Sequence, residues 1–304
     1  MDFALTEEQT AIYDMAYAFG QEKIAPFARE WEAAGTIPKE LWREVGELGF
    51  GVLYVSEESG GSGLSRLDAT MVFEALAMAC PSVGSFLSIH NMVGGMIDKF
   101  GSAESKARWL PELCSMEKVF SYCLTEPGSG SDAAGLKTTA KLDGDHYVLN
   151  GNKQFISGSG FNDVYVCKVR TGDHKSKGIT CLVVDKDTPG LSFGAPEKKL
   201  GWNASPTAQL IFEDARVPVA NRVGDEGEGF RFAMMGLDGG RLNIATCSLG
   251  GAQAALLRAR NYMHEREQFG KPLAAFQALQ FKLADMATNL VAARQMVRLG
   301  AFKL

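Results

Sequence analysis

The stretch "SYCLTEPGSGSD", residues 121–132, marks the point where one sequence pattern gives way to another. Tyr122–Thr125 is typical of an extended segment, whose alternate N–H and C=O groups can face a ligand. The glycines that follow permit a close approach or a positive φ, and the serines between them are small hydrogen-bond donors. The loop therefore suits a flat heteroaromatic group with a polyanionic tail, and a plain connection between two domains is the alternative.

The glycine spacing of this loop excludes the standard phosphate-binding motifs. "GSGSDAAG" lacks the GxGxxG spacing of a dinucleotide-binding fold, and GxxxxGK[ST] occurs nowhere in the sequence. Alternation of strands and helices, which would build a parallel nucleotide-binding sheet, is also missing. A nicotinamide-binding domain is therefore not expected.

Before the loop, the sequence is helical in pattern. Thr6 and Gln9 form a plausible capping box for a helix that runs toward Trp31. Further helices are expected at Pro38–Leu48, Ser65–Ala79, Val83–Phe100 and Ser102–Leu113. Residues 1–120 are therefore predicted to form an all-helical N-terminal domain.

After Phe120 the pattern is rich in β-formers. "HYVLNGNKQFISG" is predicted to be a hairpin around Asn150-Gly151, and Asp143-Gly144 and Pro189-Gly190 mark turns. Residues 121–225 are therefore expected to form an antiparallel, β-barrel-like domain. The helical period returns in residues 226–304, which makes the fold class α+β.

The last predicted helix carries an apolar stripe that comprises Leu279, Leu283, Met286, Leu290 and Val297. The stripe is still running where the sequence stops, so the C-terminal helical domain is expected to be truncated. Either another subunit or a further part of this domain is expected to cover the stripe.

Composition excludes several functions. The net charge of −5 and a pI near 5.5 argue against nucleic acid as a partner. The six cysteines form no CxxC and the four histidines form no HxxxH pair, so no metal is expected. Ala75–Ile97 has no charged residue, but Pro81 and polar residues interrupt it, which predicts a buried helix or helix pair and no membrane span. No signal peptide is visible, which predicts a soluble protein of the cytoplasm, or of the mitochondrial matrix after processing.

Four stretches together closely resemble the acyl-CoA dehydrogenase family. They are "YCLTEPGSGSD" (122–132), "QFISG" (154–158), "GLDGGR" (236–241) and "REQFGKPL" (266–273). The resemblance runs along essentially all 304 residues and implies the fold of that family, with helical, β and helical domains. Within the family, segments such as "SIHNM" and "LNIATCSLGG" are most similar to branched-chain members. This implies isobutyryl-CoA as the substrate, with 2-methylbutyryl-CoA or another short acyl-CoA as the alternative.

The resemblance assigns roles to residues by position. It implies FAD as the cofactor, bound by Tyr122, Cys123, Leu124, Thr125, Glu126, Pro127, Gly128, Ser129, Gly130 and Ser131, and by Phe155, Ile156 and Ser157. It further implies that Arg266, Phe276 and Gln277 meet the FAD of a neighbouring subunit in a homotetramer. The acyl-CoA would contact Ser131, Asp238, Gly239, Gly240 and Arg241. From the residues alone, "QFISG" could be an ordinary strand, and Arg266 could form a salt bridge with Glu265 or Glu267.

The resemblance also implies the chemistry and leaves one group unassigned. Family members remove a proton from the α carbon and a hydride from the β carbon, and electron-transferring flavoprotein collects the electrons. The catalytic Glu of most members corresponds to no residue up to Leu304, and Gly240 stands where a minority place it. The 304-residue chain is therefore expected to be defective in dehydrogenation. A non-catalytic flavin- or acyl-CoA-binding protein is the alternative from another class.

Overall fold

A computed structural model describes residues 4–304. The α-helices are α1 Glu7–Phe19, α2 Ala28–Ala34, α3 Lys39–Glu47, α4 Arg66–Ala79, α5 Pro81–Phe100, α6 Ala103–Cys114, α7 Gly229–Glu265 and α8 Gln277–Lys303. The strands are β1 Phe120–Cys123, β2 Thr139–Asp143, β3 His146–Ser157, β4 Val164–Arg170, β5 Ile179–Asp185, β6 Leu191–Phe193, β7 Thr207–Pro218, β8 Arg222–Val223, β9 Glu267–Gln268 and β10 Lys271–Pro272. The predicted order of helices, strands and helices is confirmed.

The chain divides into two compact units. The first unit contains the residues up to Arg29, Ser65–Ser85 and Arg241–Leu304. The second unit contains Glu30–Leu64 and Phe86–Gly240, and thus the whole of the β1–β8 sheet. Helices α5 and α7 contribute residues to both units.

Helix α1 begins as the sequence predicts but ends early. The Thr6 side chain accepts the Gln9 N–H at 3.1 Å, and Gln9 Oε1 accepts the Thr6 N–H at 3.2 Å, which completes the capping box. A π-helical turn, Gly20–Ile24, follows α1, and α2 starts only after Pro26. The single helix expected up to Trp31 is therefore wrong, because proline lacks the N–H that would continue it.

The uncharged stretch forms the helix pair α4 and α5, as predicted. Every residue of α4 from Ala69 to Ala79 is buried, which explains why apolar residues occupy all sides of this segment, with Thr70 and Glu74 as its polar members. Across residues 4–304, no helix has the length and hydropathy that a membrane crossing requires.

The sheet is mainly antiparallel, in the order β6-β7-β3-β2-β4-β5-β8, and β1 pairs in parallel with β4. Alternate residues of the central strands enter two apolar clusters. Val164 and Val166 pack with Trp109 of α6, whereas Tyr165 and Cys167 pack with residues of β3 and β7. The sheet is therefore buried on both faces of β4.

The hairpin predicted at Asn150-Gly151 is wrong, because β3 runs through this pair as one strand. The register with β7 shifts between Leu149 and Gly151, so a bulge replaces the turn. Asn150 Nδ2 donates to Asp214 Oδ1 at 2.9 Å, and Asn150 Oδ1 accepts the Asp214 N–H at 3.0 Å. The chain turns instead at Gly144 (φ 63°), between β2 and β3.

Helix α8 divides its apolar residues between a buried and an exposed side. Leu290 and Ala301 are buried within the first unit, while Met286 is 49% exposed. Met296 and Phe302 are exposed as well. The residues of the predicted stripe are therefore buried to different extents.

Candidate functional site

Strand β1 leads into the glycine-rich loop and fixes its first residues. The Tyr122 hydroxyl donates to the Ala233 carbonyl at 3.3 Å, and the buried Lys168 ammonium lies 3.5 Å from the centroid of the Tyr122 ring. Cys123 is fully buried and Leu124 is 6% exposed. These two residues therefore offer a ligand their backbone groups and not their side chains.

The loop then makes a tight turn between Glu126 and Ser129. The Glu126 N–H donates to the Ser129 carbonyl at 2.9 Å, and the Ser129 N–H donates to the Glu126 carbonyl at 3.1 Å. The Ser129 hydroxyl donates to the Asp132 carbonyl at 2.6 Å. Pro127, inside the turn, is exposed. The backbone groups of Glu126 and Ser129 and the Ser129 hydroxyl thus form hydrogen bonds within the loop.

Gly128 and Gly130 leave an open edge along this loop. Neither residue has a positive φ, so the turn does not require glycine at these positions. An added Cβ at either residue would have no heavy atom within 4 Å beyond the adjacent residues. Ser131, the next residue, is exposed. The bare backbone suits a group that lies directly against it.

The second predicted segment is formed by a bulge in β3. The register with β7 shifts between Lys153 and Ile156. Phe155, within the bulge, has φ 58° and a side chain that is 62% exposed, whereas Ile156 is buried. A left-handed backbone is costly for an aromatic residue, and such strain concentrates at functional sites. The bulge therefore holds an aromatic ring outward at a conformational cost.

Two hydrogen bonds join the two segments. The Gln154 N–H donates to the Thr125 carbonyl at 2.8 Å, and the Ser121 hydroxyl donates to the Ser157 carbonyl at 2.7 Å. Among residues 4–304, none accepts the Thr125 N–H. The structure thus brings together segments that lie about 30 residues apart in the sequence, and one of them keeps a free backbone donor.

A buried ion pair lies beneath this junction. Lys153 Nζ is 2.7 Å from Glu126 Oε1, with the Lys153 side chain fully buried and that of Glu126 6% exposed. Burial raises the pKa of the Glu126 carboxyl, but the Lys153 ammonium and the Lys137 N–H together hold this pKa below its ordinary value. Glu126 is therefore ionised at neutral pH and paired inside the protein.

The residues predicted to contact the substrate lie on α7. Because α7 begins at Gly229, they lie in its third turn. Leu237, directly before Asp238, packs against the apolar cluster that contains Leu124, so Asp238–Gly240 lies beside the loop. A Cβ added to Gly240 would lie 3.5 Å from Met92 Sδ, an ordinary contact distance. Arg241 is the next residue of the helix and is exposed.

The residues predicted to reach a neighbouring subunit lie around the β9–β10 hairpin, in the first unit. Arg266 is exposed, and within residues 4–304 it forms no ion pair with Glu265 or Glu267. The salt-bridge alternative is therefore not observed. The Lys271 ammonium lies 4.4 Å from the centroid of the Phe276 ring. Gln277, the first residue of α8, is exposed.

Sequence reasoning missed Phe269, at the tip of this hairpin. Its side chain is 92% exposed, its φ is 56°, and its ring meets that of Phe276 edge-on at 6.2 Å. An exposed aromatic residue with a left-handed backbone is unusual. The available signal was the position of an aromatic residue directly before Gly270, since glycine favours turns.

Comparison with known families agrees with this geometry along the chain. The acyl-CoA dehydrogenase N-terminal domain matches residues 6–117, the middle domain residues 121–215 and the C-terminal domain residues 227–302. The chain belongs to the acyl-CoA dehydrogenase family. Its sequence-predicted fold is thereby confirmed.

Individual relatives within the acyl-CoA dehydrogenase family cover nearly the whole chain. The mitochondrial isobutyryl-CoA dehydrogenase of Dictyostelium discoideum is 58% identical over 99% of this chain and 72% of its own length. The corresponding protein of Bos taurus is 55% identical over the same shares. The solved structure of butyryl-CoA dehydrogenase from Megasphaera elsdenii has a TM-score of 0.95 and 40% identity, over 100% of this chain and 81% of that one.

Acyl-CoA dehydrogenases depend on FAD, and the residues present fit this cofactor. Gly128 and Gly130 leave bare backbone beside the loop, and the Thr125 N–H is a donor without an acceptor among residues 4–304. The Phe155 ring is exposed, and its segment is joined to the loop by the hydrogen bond from the Gln154 N–H to the Thr125 carbonyl. A planar group with hydrogen-bonding edges suits this combination of a flat backbone, one donor and one aromatic face.

Proposed function

We propose that this protein is an FAD-dependent dehydrogenase that converts isobutyryl-CoA to methacrylyl-CoA, a step of valine degradation. The observation that carries the proposal is its 58% and 55% identity to two isobutyryl-CoA dehydrogenases, against 40% for butyryl-CoA dehydrogenase. The runner-up substrates are 2-methylbutyryl-CoA and a short straight-chain acyl-CoA. Electron-transferring flavoprotein is the proposed electron acceptor.

FAD would be held by the two linked segments, Tyr122–Ser131 and Phe155–Ser157. The Thr125 N–H would donate to the edge of the ring system, and the Phe155 ring would cover one of its faces. The Ser157 hydroxyl would lie within reach of the reactive part of the ring. When bound, FAD supplies the acceptor for the hydride that leaves the β carbon. The remaining task of these residues is to orient the cofactor and exclude water.

The acyl-CoA would lie between the exposed end of the loop and the third turn of α7. Ser131 and Asp238–Arg241 are the proposed contacts. Gly240 has no side chain, so a methyl-sized space remains between this residue and Met92, which suits the branch of the acyl group. Backbone N–H groups aimed at the thioester carbonyl would stabilise the enolate charge that develops when the α proton leaves.

A carboxylate must accept this α proton. Gly240 precedes Arg241, so that position supplies none, and the family resemblance assigns the acceptor to no other residue of 1–304. We therefore expect residues 1–304 alone to bind FAD and thioester but to dehydrogenate slowly.

A second subunit would complete the cofactor site. Arg266 is exposed and carries no intramolecular ion pair within residues 4–304, which leaves its planar guanidinium available for a pyrophosphate. Phe276 and Gln277 would contact the same cofactor, within a homotetramer. We propose that the protein works in a bacterial cytoplasm or, since two relatives are named as mitochondrial proteins, in the mitochondrial matrix.

Anaerobic flavin bleaching tests the proposal. The 304-residue chain is compared with a chain extended to the length of its relatives, each mixed with isobutyryl-CoA, 2-methylbutyryl-CoA or butyryl-CoA. The extended chain is expected to bleach fastest with isobutyryl-CoA, and the 304-residue chain to show a shifted flavin spectrum with slow bleaching. A preference for butyryl-CoA would contradict the branched-chain assignment, and rapid bleaching by residues 1–304 would contradict the missing acceptor.

A non-catalytic flavin- or acyl-CoA-binding protein is the second candidate. The observation in its favour is Gly240, which stands where some relatives carry a carboxylate. The same experiment separates the two functions, because a binding protein would show the spectral shift in both chains and bleaching in neither.

A further inference from the structure

The buried ammonium of Lys153 holds two parts of the site at once. It lies on β3, two residues before Phe155, and its side chain is fully buried. Lys153 Nζ donates to the Leu124 carbonyl at 3.2 Å and to Glu126 Oε1 at 2.7 Å. One charged group of the second segment therefore binds a backbone group and a carboxylate of the first.

The Glu126 carboxylate extends this connection to the far end of the loop. Its Oε1 accepts the Thr138 N–H at 3.0 Å, and its Oε2 accepts the Lys137 N–H at 2.5 Å. Leu124 on one side of the loop and Lys137-Thr138 on the other are thus drawn to the same pair of charges. Residues between these two points, including Gly128 and Gly130, form a loop that is closed at its base.

Neither charge is placed to react with a substrate. Lys153 is 0% exposed, Glu126 is 7% exposed, and both carboxylate oxygens already accept hydrogen bonds from the protein. A buried ion pair is a weak source of stability compared with well-packed apolar residues of similar volume. Its position, between two segments that would contact one cofactor, indicates a role in fixing their separation.

We propose that Glu126 and Lys153 are positioning residues, whose buried ion pair holds the loop and the Phe155 bulge in the geometry that binds FAD. The inference rests on the proposed function, because FAD is the group that these segments would hold. The Glu126 side chain would then act on FAD indirectly, through the geometry of the loop to which it belongs.

Affinity for FAD is the first test. Glu126→Gln and Lys153→Met are each expected to raise the dissociation constant for FAD about tenfold or more, because each leaves a buried charge unpaired. Glu74→Gln is the matched control, since Glu74 is a buried carboxylate 2.7 Å from Arg294 Nε in the first unit. All variants are measured by flavin fluorescence at a temperature where circular dichroism shows them folded. An unchanged FAD affinity in both Glu126→Gln and Lys153→Met would overturn the proposal.

Hydrogen exchange of the FAD-free protein is the second test, and it distinguishes positioning from general stability. Glu126→Gln is expected to accelerate exchange in residues 121–138 and 153–158, with other segments of the second unit unchanged. Glu74→Gln is expected to leave these two segments at the wild-type rate. Uniform acceleration across the second unit in Glu126→Gln would show a purely structural pair and overturn the inference.

The two tests separate this inference from the proposed function. If the wild-type protein binds no FAD, the proposed function fails, while the exchange experiment still reports whether the pair fixes the two segments. If the wild-type protein binds FAD, and Glu126→Gln and Lys153→Met bind it with the same affinity, the positioning role fails while the proposed function stands.

Discussion

Lowering the pH should destabilise the protein through one buried histidine, His90. Its ring bridges two backbone groups: the Phe120 N–H donates to Nδ1 at 3.2 Å, and Nε2 lies 2.9 Å from the Leu113 carbonyl. Since Nδ1 accepts, Nε2 must carry the proton and donate, which defines a neutral ring. Protonation of Nδ1 would remove the acceptor for Phe120, the first residue of the strand that leads into the glycine-rich loop.

The size of the effect follows from the pKa of His90. Burial lowers this pKa to about 4 from the ordinary value of 6.5, although the Leu113 carbonyl opposes the change. At about 1.4 kcal/mol per pKa unit, the full difference is about 3 kcal/mol. Because the folded-state pKa is the lower one, the contribution is complete above about pH 6.5 and is lost as the pH falls toward 4. Between about pH 7.5 and pH 5 the expected loss is about 2 kcal/mol.

Urea unfolding at a series of pH values measures this loss, with His90→Gln and His264→Gln as a pair of variants. His264 is exposed, so its variant should keep the wild-type pH dependence. His90→Gln should be less stable near neutral pH, and its deficit relative to wild type should shrink by about 2 kcal/mol at pH 5. The reasoning would be refuted if the free energy of unfolding varied with pH in the same way in wild type and His90→Gln, or if NMR gave a pKa near 6.5 for the His90 imidazole.

Two further substitutions test other parts of the structure. Phe155→Gly should leave the free energy of unfolding within about 1 kcal/mol of wild type. Glycine adopts a positive φ without strain, and this gain offsets the larger conformational entropy that glycine gives the unfolded chain. The same variant should weaken FAD binding about tenfold, as measured by flavin fluorescence, and unaltered binding would exclude a contact with the ring. Glu74→Gln should lower the free energy of unfolding by about 3 kcal/mol in urea, since Arg294 and Arg298, both largely buried, lose the carboxylate that they share. A loss below about 1 kcal/mol would mean that water solvates this pair.

Local sequence signals predicted the helices well, because the hydrogen bonds that cap them are made by nearby residues. Ser65, for example, accepts the Asp68 N–H at 3.1 Å, a contact that depends on neither unit as a whole. The hairpin predicted at Asn150-Gly151 was wrong for the opposite reason. Its usual preference for a turn is overridden by Asp214, which lies 64 residues away and bonds the Asn150 side chain within the sheet.

The candidate site was only partly predictable. Its glycine-rich loop and "QFISG" segment were located by resemblance, but the register shift that gives Phe155 a positive φ depends on pairing with β7. The contact between Glu126 and Lys153 joins residues 27 positions apart, with no spacing rule that would reveal it. Both features arise from tertiary packing, which composition and periodicity do not encode.

The open edge at Gly128 and Gly130 separates folding from ligand recognition. A methyl group added at Gly128 would meet no other part of the protein, so an alanine there should fold as well as wild type. If FAD lies against this edge as proposed, the effect would emerge only when the cofactor approached the backbone. A screen for thermal stability or solubility would therefore pass Gly128→Ala as harmless, and a genetic variant at this position would yield normal amounts of protein with impaired cofactor loading.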